Sequence, residues 1–315
     1  MAEEKQIKWI SGFWRRICAI IIDTIILGII GQCLGFFLET LLVEIGVWGR
    51  LVGFGSAVIY FGILNSKIGN GQTLGKKILK IMVVDSNGES ISPLKSLARY
   101  SVLAIPFSLN GAQFPDELMF SFATYILSMV VFGGLFSIIY LYLFNRITRQ
   151  SLHDIATGTY VVNADVEKQS VGEIWKPHFV LVGLFFIAAA IVPAFTGSLA
   201  KQTPFVNLLK SRTLLMEHPA VKNATVSSGT STFTSSNSGT TETKYVSAQI
   251  YLSKNETFNE ELAKSLAISI TESYPDALTK DTININLVYG FDIGIASRWN
   301  SHSHKFNPAD LVVSK

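Results

Sequence analysis

An apolar run from Ile17 to Leu38 carries a single carboxylate, Asp23, and follows the polar-aromatic start Phe13-Trp14-Arg15-Arg16. The run is as long as the roughly 20 residues a bilayer-spanning helix needs. On a helix, Arg16 and Asp23 share one face about 10 Å apart along the axis. A carboxylate placed there costs on the order of 2 to 3 kcal/mol to insert, so Asp23 is expected to face protein and not lipid. The run is long, contains Asp23 and lacks a small-x-small site after it, which favours a retained anchor over a cleaved leader.

The rest of the chain agrees with a membrane setting. Mean hydropathy is +0.37, and only 16% of the 315 residues are charged, too apolar for an ordinary soluble chain of this length. Most of the long apolar runs lie before residue 200. That part holds 15 Lys/Arg and 13 Asp/Glu, against 11 and 10 after it, so neither part has the basic excess of a nucleic-acid binder. Cys18 and Cys33 stand about four turns apart on one helix and cannot pair with each other.

Spans are expected near 14–38, 48–65, 96–113, 118–144 and 177–198. Gly49, Gly53, Gly55 and Gly62 place the second inside the bundle, where small residues allow close packing. Residues 96–113 are interrupted by Arg99 and Pro106, but charge decides them. The loop before carries Lys67, Lys76, Lys77, Lys80 and Lys95, and the loop after the next helix carries Arg146, Arg149, Lys168 and Lys176. Both are cytoplasmic under the positive-inside rule, which requires two crossings between them and puts the Asp116-Glu117 turn outside. Lys80 to Val84 reads as a strand of a short hairpin lying against the membrane, and Thr159 to Asn163 as another strand.

Five spans from a cytoplasmic N-terminus leave everything after about residue 200 outside the cytoplasm. There Asn207–Met216 and 258–273 read as helices, and 220–226, 245–252 and 283–288 as strands, with a last strand near 291–296. The Ser/Thr/Gly stretch Ser227–Thr243 reads as a flexible loop. The fold class expected is thus an all-α membrane bundle of about five helices followed by a small α+β extracytoplasmic domain. The divisions are 1–170, 171–200 for the extra span and linker, and 201–315.

Three motifs then stand in order: Phe13-Trp14-Arg15-Arg16 with Asp23, Gly71-Gln72-Thr73-Leu74-Gly75-Lys76, and Ser151-Leu152-His153-Asp154 followed by Gly158-Thr159. Together, over residues 10–163, they resemble the RDD family of bacterial membrane proteins, named for one arginine and two aspartates. The resemblance implies a bacterial inner membrane location and puts the name-giving residues at Arg16, Asp23 and Asp154. Arg99 stands where such proteins often carry an arginine. Transport has been proposed for the family. The last span and the distal domain lie outside the resemblance.

Arg16, Asp23, Arg99 and Asp154 are the candidate cluster. Asp23 beside Arg16 and Arg99 reads as a proton or cation site, or as a salt bridge that sets helix register. Asp154 reads as a proton acceptor at the cytoplasmic mouth, a counter-charge for Arg99 or Arg16, or a helix cap. The GNGQTLGKK segment departs from a phosphate loop at Asn70 and Lys77, and reads as a tight turn whose lysines meet anionic headgroups. His302 and His304 read as part of a solvated tail, with no zinc-binding pattern. No catalytic constellation, cofactor or metal site is expected. The partners expected are the lipid bilayer, with a homodimer and an extracytoplasmic protein as further candidates. Transport of a small ion or solute and membrane-anchored assembly are the two functions carried forward.

Overall fold

The structure, a computed structural model, describes residues 8–111, 121–235 and 239–312. It divides into two compact units. The first comprises Met1–Phe37, Val47–Phe195 and Ile293–Ala296, and the second Leu38–Gly46, Thr196–Asp292 and Ser297–Lys315.

The opening helix α1 runs Phe13–Ile45 with a non-helical kink at Leu38, where the expected span of 14–38 ends. Its part up to Phe37 belongs to the first unit, and Glu39 and Glu44 lie in the helical segment after the kink. Helix α2 (Gly49–Leu64) packs antiparallel on α4 (Pro93–Leu109). At one end of the pair Arg50 donates to the carbonyls of Asn110 at 2.6 Å and Ser108 at 3.2 Å. At the other end Gly62 lies against Leu97 so closely that a Cβ would come within 2.4 Å of the leucine side chain. The glycines of α2 therefore do what their number suggests, admitting a neighbouring helix. Pro106 falls inside α4, and a Cβ on Gly134 would touch its ring.

Helix α5 (Ala123–Phe144) contains one π turn, Met129–Gly133. It meets α7 (Pro177–Leu199) through Ser128, whose hydroxyl donates to the Ala189 carbonyl at 2.6 Å. Among the described residues, three stretches are long and apolar enough to cross a membrane: Phe13–Leu64, Ala123–Phe144 and Pro177–Leu199. The expected Asp116-Glu117 turn lies outside the described residues.

Strand β1 (Ile81–Asp85) follows the short helix α3 (Leu74–Ile78), but it does not fold back into a local hairpin. It pairs antiparallel with β2 (Thr159–Asn163), from Ile81 opposite Asn163 to Asp85 opposite Thr159. Residues near the N-terminus join them: Ser11 N–H donates to the Val161 carbonyl at 3.0 Å, and Asn163 N–H to the Trp9 carbonyl at 2.8 Å. Both faces of this ribbon are covered. Ile81, Val83 and Val161 pack with Ala19 and Ile91, while Val84 and Val162 pack with Trp9. Helix α6 (Leu152–Thr157) ends at Gly158 in the left-handed region, which turns the chain into β2.

The second unit is an α+β fold. Helices α8 (Phe205–Met216) and α9 (Glu260–Ser273) pack on a sheet of order β3-β4-β5-β6. Strand β3 (Val221–Ser235) forms a long antiparallel hairpin with β4 (Gly239–Leu252). The Ser/Thr-rich stretch expected as a flexible loop is mostly paired strand: Thr225 to Ser235 stays in register with Gln249 to Gly239. Parallel β5 (Thr282–Asp292) follows the α9 crossover. The last strand, β6 (Ser297–Phe306), lies later than the 291–296 expected. His302 and His304 thus belong to a sheet and not to a solvated tail, and His304 is buried with its Nε2 2.8 Å from the Thr257 carbonyl. A short helix, α10 (Pro308–Val312), ends the described chain. The core lies between sheet and helices, with Ile250, Leu266, Ile270, Ile283, Ile285 and Leu287 at its centre.

Candidate functional site

Three of the four candidate residues meet. Asp154, on the first turn of α6, is fully buried between Arg16 of α1 and Arg99 of α4. Arg16 Nη2 lies 2.8 Å from Asp154 Oδ2, and Arg99 Nη2 lies 2.5 Å from Oδ1 with its Nε at 3.1 Å. The remaining arms are also held. Arg16 Nη1 donates to the Arg149 carbonyl, and Arg99 Nε also reaches Thr159 Oγ1 at 3.2 Å. The Arg16 guanidinium lies 5.0 Å from the centre of the Tyr142 ring. Asp154 Oδ2 also accepts the Ser151 backbone N–H at 3.2 Å, so the carboxylate caps α6 while it bridges the two arginines.

This geometry sets the charge state. Burial alone would raise the Asp154 pKa, but the charges of His153, Arg99 and Arg16 and the Arg99 hydrogen bond outweigh it and hold the carboxyl well below its usual range. The imidazole acts only where it is protonated, so at neutral pH the guanidiniums carry the effect. A carboxyl held low in this way stays ionised near neutral pH, which favours the counter-charge and helix-cap readings of Asp154 over that of a proton acceptor. His153 stands beside it, Nε2 3.5 Å from Asp154 Oδ2. Burial pushes its imidazole down to about 3, so this approach involves a neutral ring and is no ion pair at pH 7.

Asp23 does not join the cluster. The expected pairing with Arg16 and Arg99 is replaced by three uncharged donors. Tyr60 OH donates to Oδ1 at 2.7 Å, Gly75 N–H to Oδ1 at 2.8 Å, and Thr73 Oγ1 to Oδ2 at 2.6 Å. The physical reason lies in the GQTLGKK segment. Thr73 caps α3, which seats this turn on α1 so closely that a Cβ on Gly75 would come within 2.3 Å of the Ala19 carbonyl and 3.0 Å of the Asp23 carboxyl. The turn supplies the donors, and the guanidiniums are taken by Asp154.

The same turn carries a residue the sequence reading placed among lipid headgroups. Lys76 is 7% exposed, and its Nζ donates to Asn65 Oδ1 at 2.7 Å. Burial, seconded by the Arg99 charge, lowers its pKa to about 7 against the opposing pull of Asp23 and Asp154. Local spacing does not single it out: Thr73, the cap of α3, stands three residues before Lys76 and four before Lys77, and both spacings fit one helix face.

Next to these groups is a cavity of about 470 Å³. Its walls include Ile17, Ile20, Leu103, Phe107, Ile139 and Leu143, and its polar lining includes Arg16, Asn65, Lys76, Arg99, Tyr142 and His153. The Tyr142 hydroxyl and His153 Nδ1 are buried with no hydrogen-bond partner among the described residues. Among those residues there is also no group of three His, Cys, Asp or Glu arranged to hold a metal ion.

Long apolar helices around a buried arginine–aspartate–arginine bridge define a membrane domain organised by internal charge. The RDD family model matches residues 10–158, so this segment is an RDD-family membrane domain, and a further C-terminal region lies beyond the match. No curated protein and no solved structure matches the chain.

Proposed function

We propose that the RDD-type domain binds a small ion or solute in the cavity beside Arg16, Lys76 and Arg99 and carries it across a bacterial plasma membrane. The observation that carries this reading is the cavity itself, lined mostly by apolar side chains and also by three basic ones. The Arg16–Asp154–Arg99 bridge is then the fixed frame, and Lys76 is the group free to change charge.

The proposed topology has five spans, α1, α2, α4, α5 and α7, with a cytoplasmic N-terminus. It is supported by β1, β2 and residues 9–11 meeting in one ribbon, which requires an even number of crossings between each. It is also supported by α4, which packs along α2 from Arg50 at one end to Gly62 at the other. Five crossings leave the α+β domain outside the cytoplasm. A homodimer is the assembly proposed for so small a bundle, and sizing in detergent tests it.

Purified protein in proteoliposomes tests the transport reading, with solute uptake scored under pH and ion gradients. Uptake that falls in Lys76→Met supports it. Uptake indistinguishable from protein-free vesicles across inorganic ions and small organic acids removes it.

A second reading is favoured by the distal sheet, in which α8 and α9 cover one face. On the other, Gln249 Nε2 donates to Tyr251 OH at 2.8 Å, Ser303 Oγ to Asn286 Oδ1 at 3.2 Å, and Tyr251 packs edge-on to Trp299. Such a polar and aromatic face suits an envelope protein, which makes the chain a membrane-anchored assembly factor. Cellular crosslinking from this face, together with truncation after residue 200, tests it. No recovered partner and an intact phenotype would remove it.

A further inference from the structure

We propose that the cavity takes an anionic amphiphile: one acid group, carboxylate or phosphate, at the basic floor, and an acyl or aryl chain along the apolar walls. This rests on the cavity being the binding site, and it narrows what the site accepts.

Three observations converge. First, every charged side chain lining the cavity is basic: Arg16, Lys76 and Arg99 line it, and no carboxylate does. Counting the two carboxylates held nearby, Asp154 and Asp23, still leaves three cations against two anions when Lys76 is protonated. An inorganic cation would meet net repulsion, and an anion would complete the balance.

Second, polar atoms are left waiting. His153 is 5% exposed and lines the cavity, yet its Nδ1 has no partner, and neither does the buried Tyr142 hydroxyl on the same lining. Buried polar groups without partners are costly; an acid oxygen accepting from the Tyr142 hydroxyl would relieve its cost, and the protonated form of an acid group could donate to His153 Nδ1. Third, most of the lining is aliphatic and aromatic, which a hydrated inorganic anion could not satisfy. A cavity of about 470 Å³ falls within the range that holds a drug-sized organic molecule.

The same chemistry could arrive as a membrane phospholipid or as a free single-chain acid, and the test separates them. Full-length protein in detergent is titrated with cis-parinaric acid, a fluorescent single-chain carboxylate, and with the matching alcohol. In parallel, lipids retained after purification are extracted and identified by mass spectrometry. A preference for the acid over the alcohol, weakened about tenfold or more in Lys76→Met, supports a free acid, that factor being the scale of one charge-assisted hydrogen bond. Retained anionic phospholipid that disappears in Lys76→Met supports the lipid source. Leu103→Trp, which fills the wall without touching the floor, is expected to abolish either. If acid and alcohol bind alike, and retained lipid shows no preference for anionic headgroups, the proposal is overturned. Binding is read without flux: an acid that binds while nothing is transported leaves this inference standing and removes the transport reading. Flux of an inorganic ion without acid binding does the reverse.

Discussion

Arg99 and Asp154 are 55 positions apart in the chain, yet Nη2 of one lies 2.5 Å from Oδ1 of the other, both fully or nearly buried. With Arg16 on the second oxygen, the contact joins α1, α4 and α6 at one point. Asp154→Asn would leave two guanidiniums without their carboxylate, and breaking a buried pair in this way costs about 3 to 5 kcal/mol. The expected outcome is a large drop in thermal midpoint in detergent. A change within the range of surface substitutions would contradict the bridge as framework.

Asp23 should respond differently. Its two oxygens accept from three donors, and an amide in its place would turn an NH₂ toward one of them. Asp23→Asn is expected to destabilise by about 1 to 3 kcal/mol, with Tyr60→Phe milder, since each loses hydrogen bonds to a charged acceptor but strands no buried cation. Thermal unfolding of the two variants beside Asp154→Asn ranks them. Equal losses at Asp23 and Asp154 would argue for a shared cluster.

Glycine to alanine inside a helix normally gains up to about 1 kcal/mol. At Gly75 the sign is expected to reverse. The added Cβ would sit 2.3 Å from the Ala19 carbonyl, a backbone atom that cannot rotate away. Gly75→Ala should therefore lower stability and loosen α3 from α1, read as faster hydrogen exchange at the Gly75 to Leu79 amides. Stabilisation would show that the two segments are farther apart.

Lys76 supplies a pH dependence. Its folded pKa lies near 7 and its unfolded value near 10.5, so the unfolded chain holds the extra proton between those values. Stability attributable to Lys76 therefore rises as pH climbs from about 7 toward 10.5, and below 7 its buried charge weighs against the fold. In Lys76→Met the rise should flatten over that window. A lysine NMR titration of the wild type should show one side chain titrating near 7, absent from the variant. If all lysines titrated near 10.5, the buried placement of Lys76 would be wrong.

The sequence disclosed the right residues more readily than their partners. Arg16, Asp23 and Arg99 were legible because charges are rare in apolar runs, and Asp154 because it stands in the Ser-Leu-His-Asp motif that resembles the RDD family. However, Arg16 and Asp23 share a helix face, and local spacing favoured a pair that the fold does not make. The true partner arrives on α6, placed by β1 pairing with β2 from a distant loop, and such pairing leaves no mark in local periodicity. Lys76 was misjudged for a related reason: two adjacent lysines read alike in sequence, and only the seating of α3 buries Lys76 while Lys77 stays exposed. In the distal domain, helix spacing placed α8 and α9 well because their apolar faces repeat. The stretch Ser227–Thr243 has loop composition, yet its described residues up to Ser235 and from Gly239 form strand because their backbone bonds are satisfied across the β3–β4 pair and not because their side chains pack.

A basic, mostly apolar cavity built to hold a ligand should show its occupant when the full-length chain is imaged in a lipid nanodisc at a resolution that shows bound molecules. The expected result is elongated density along Ile20, Leu103 and Phe107, ending within hydrogen-bond distance of Lys76, Arg16 or Arg99. A cavity closed by its own side chains, or filled by density that touches none of those three cations, would contradict it.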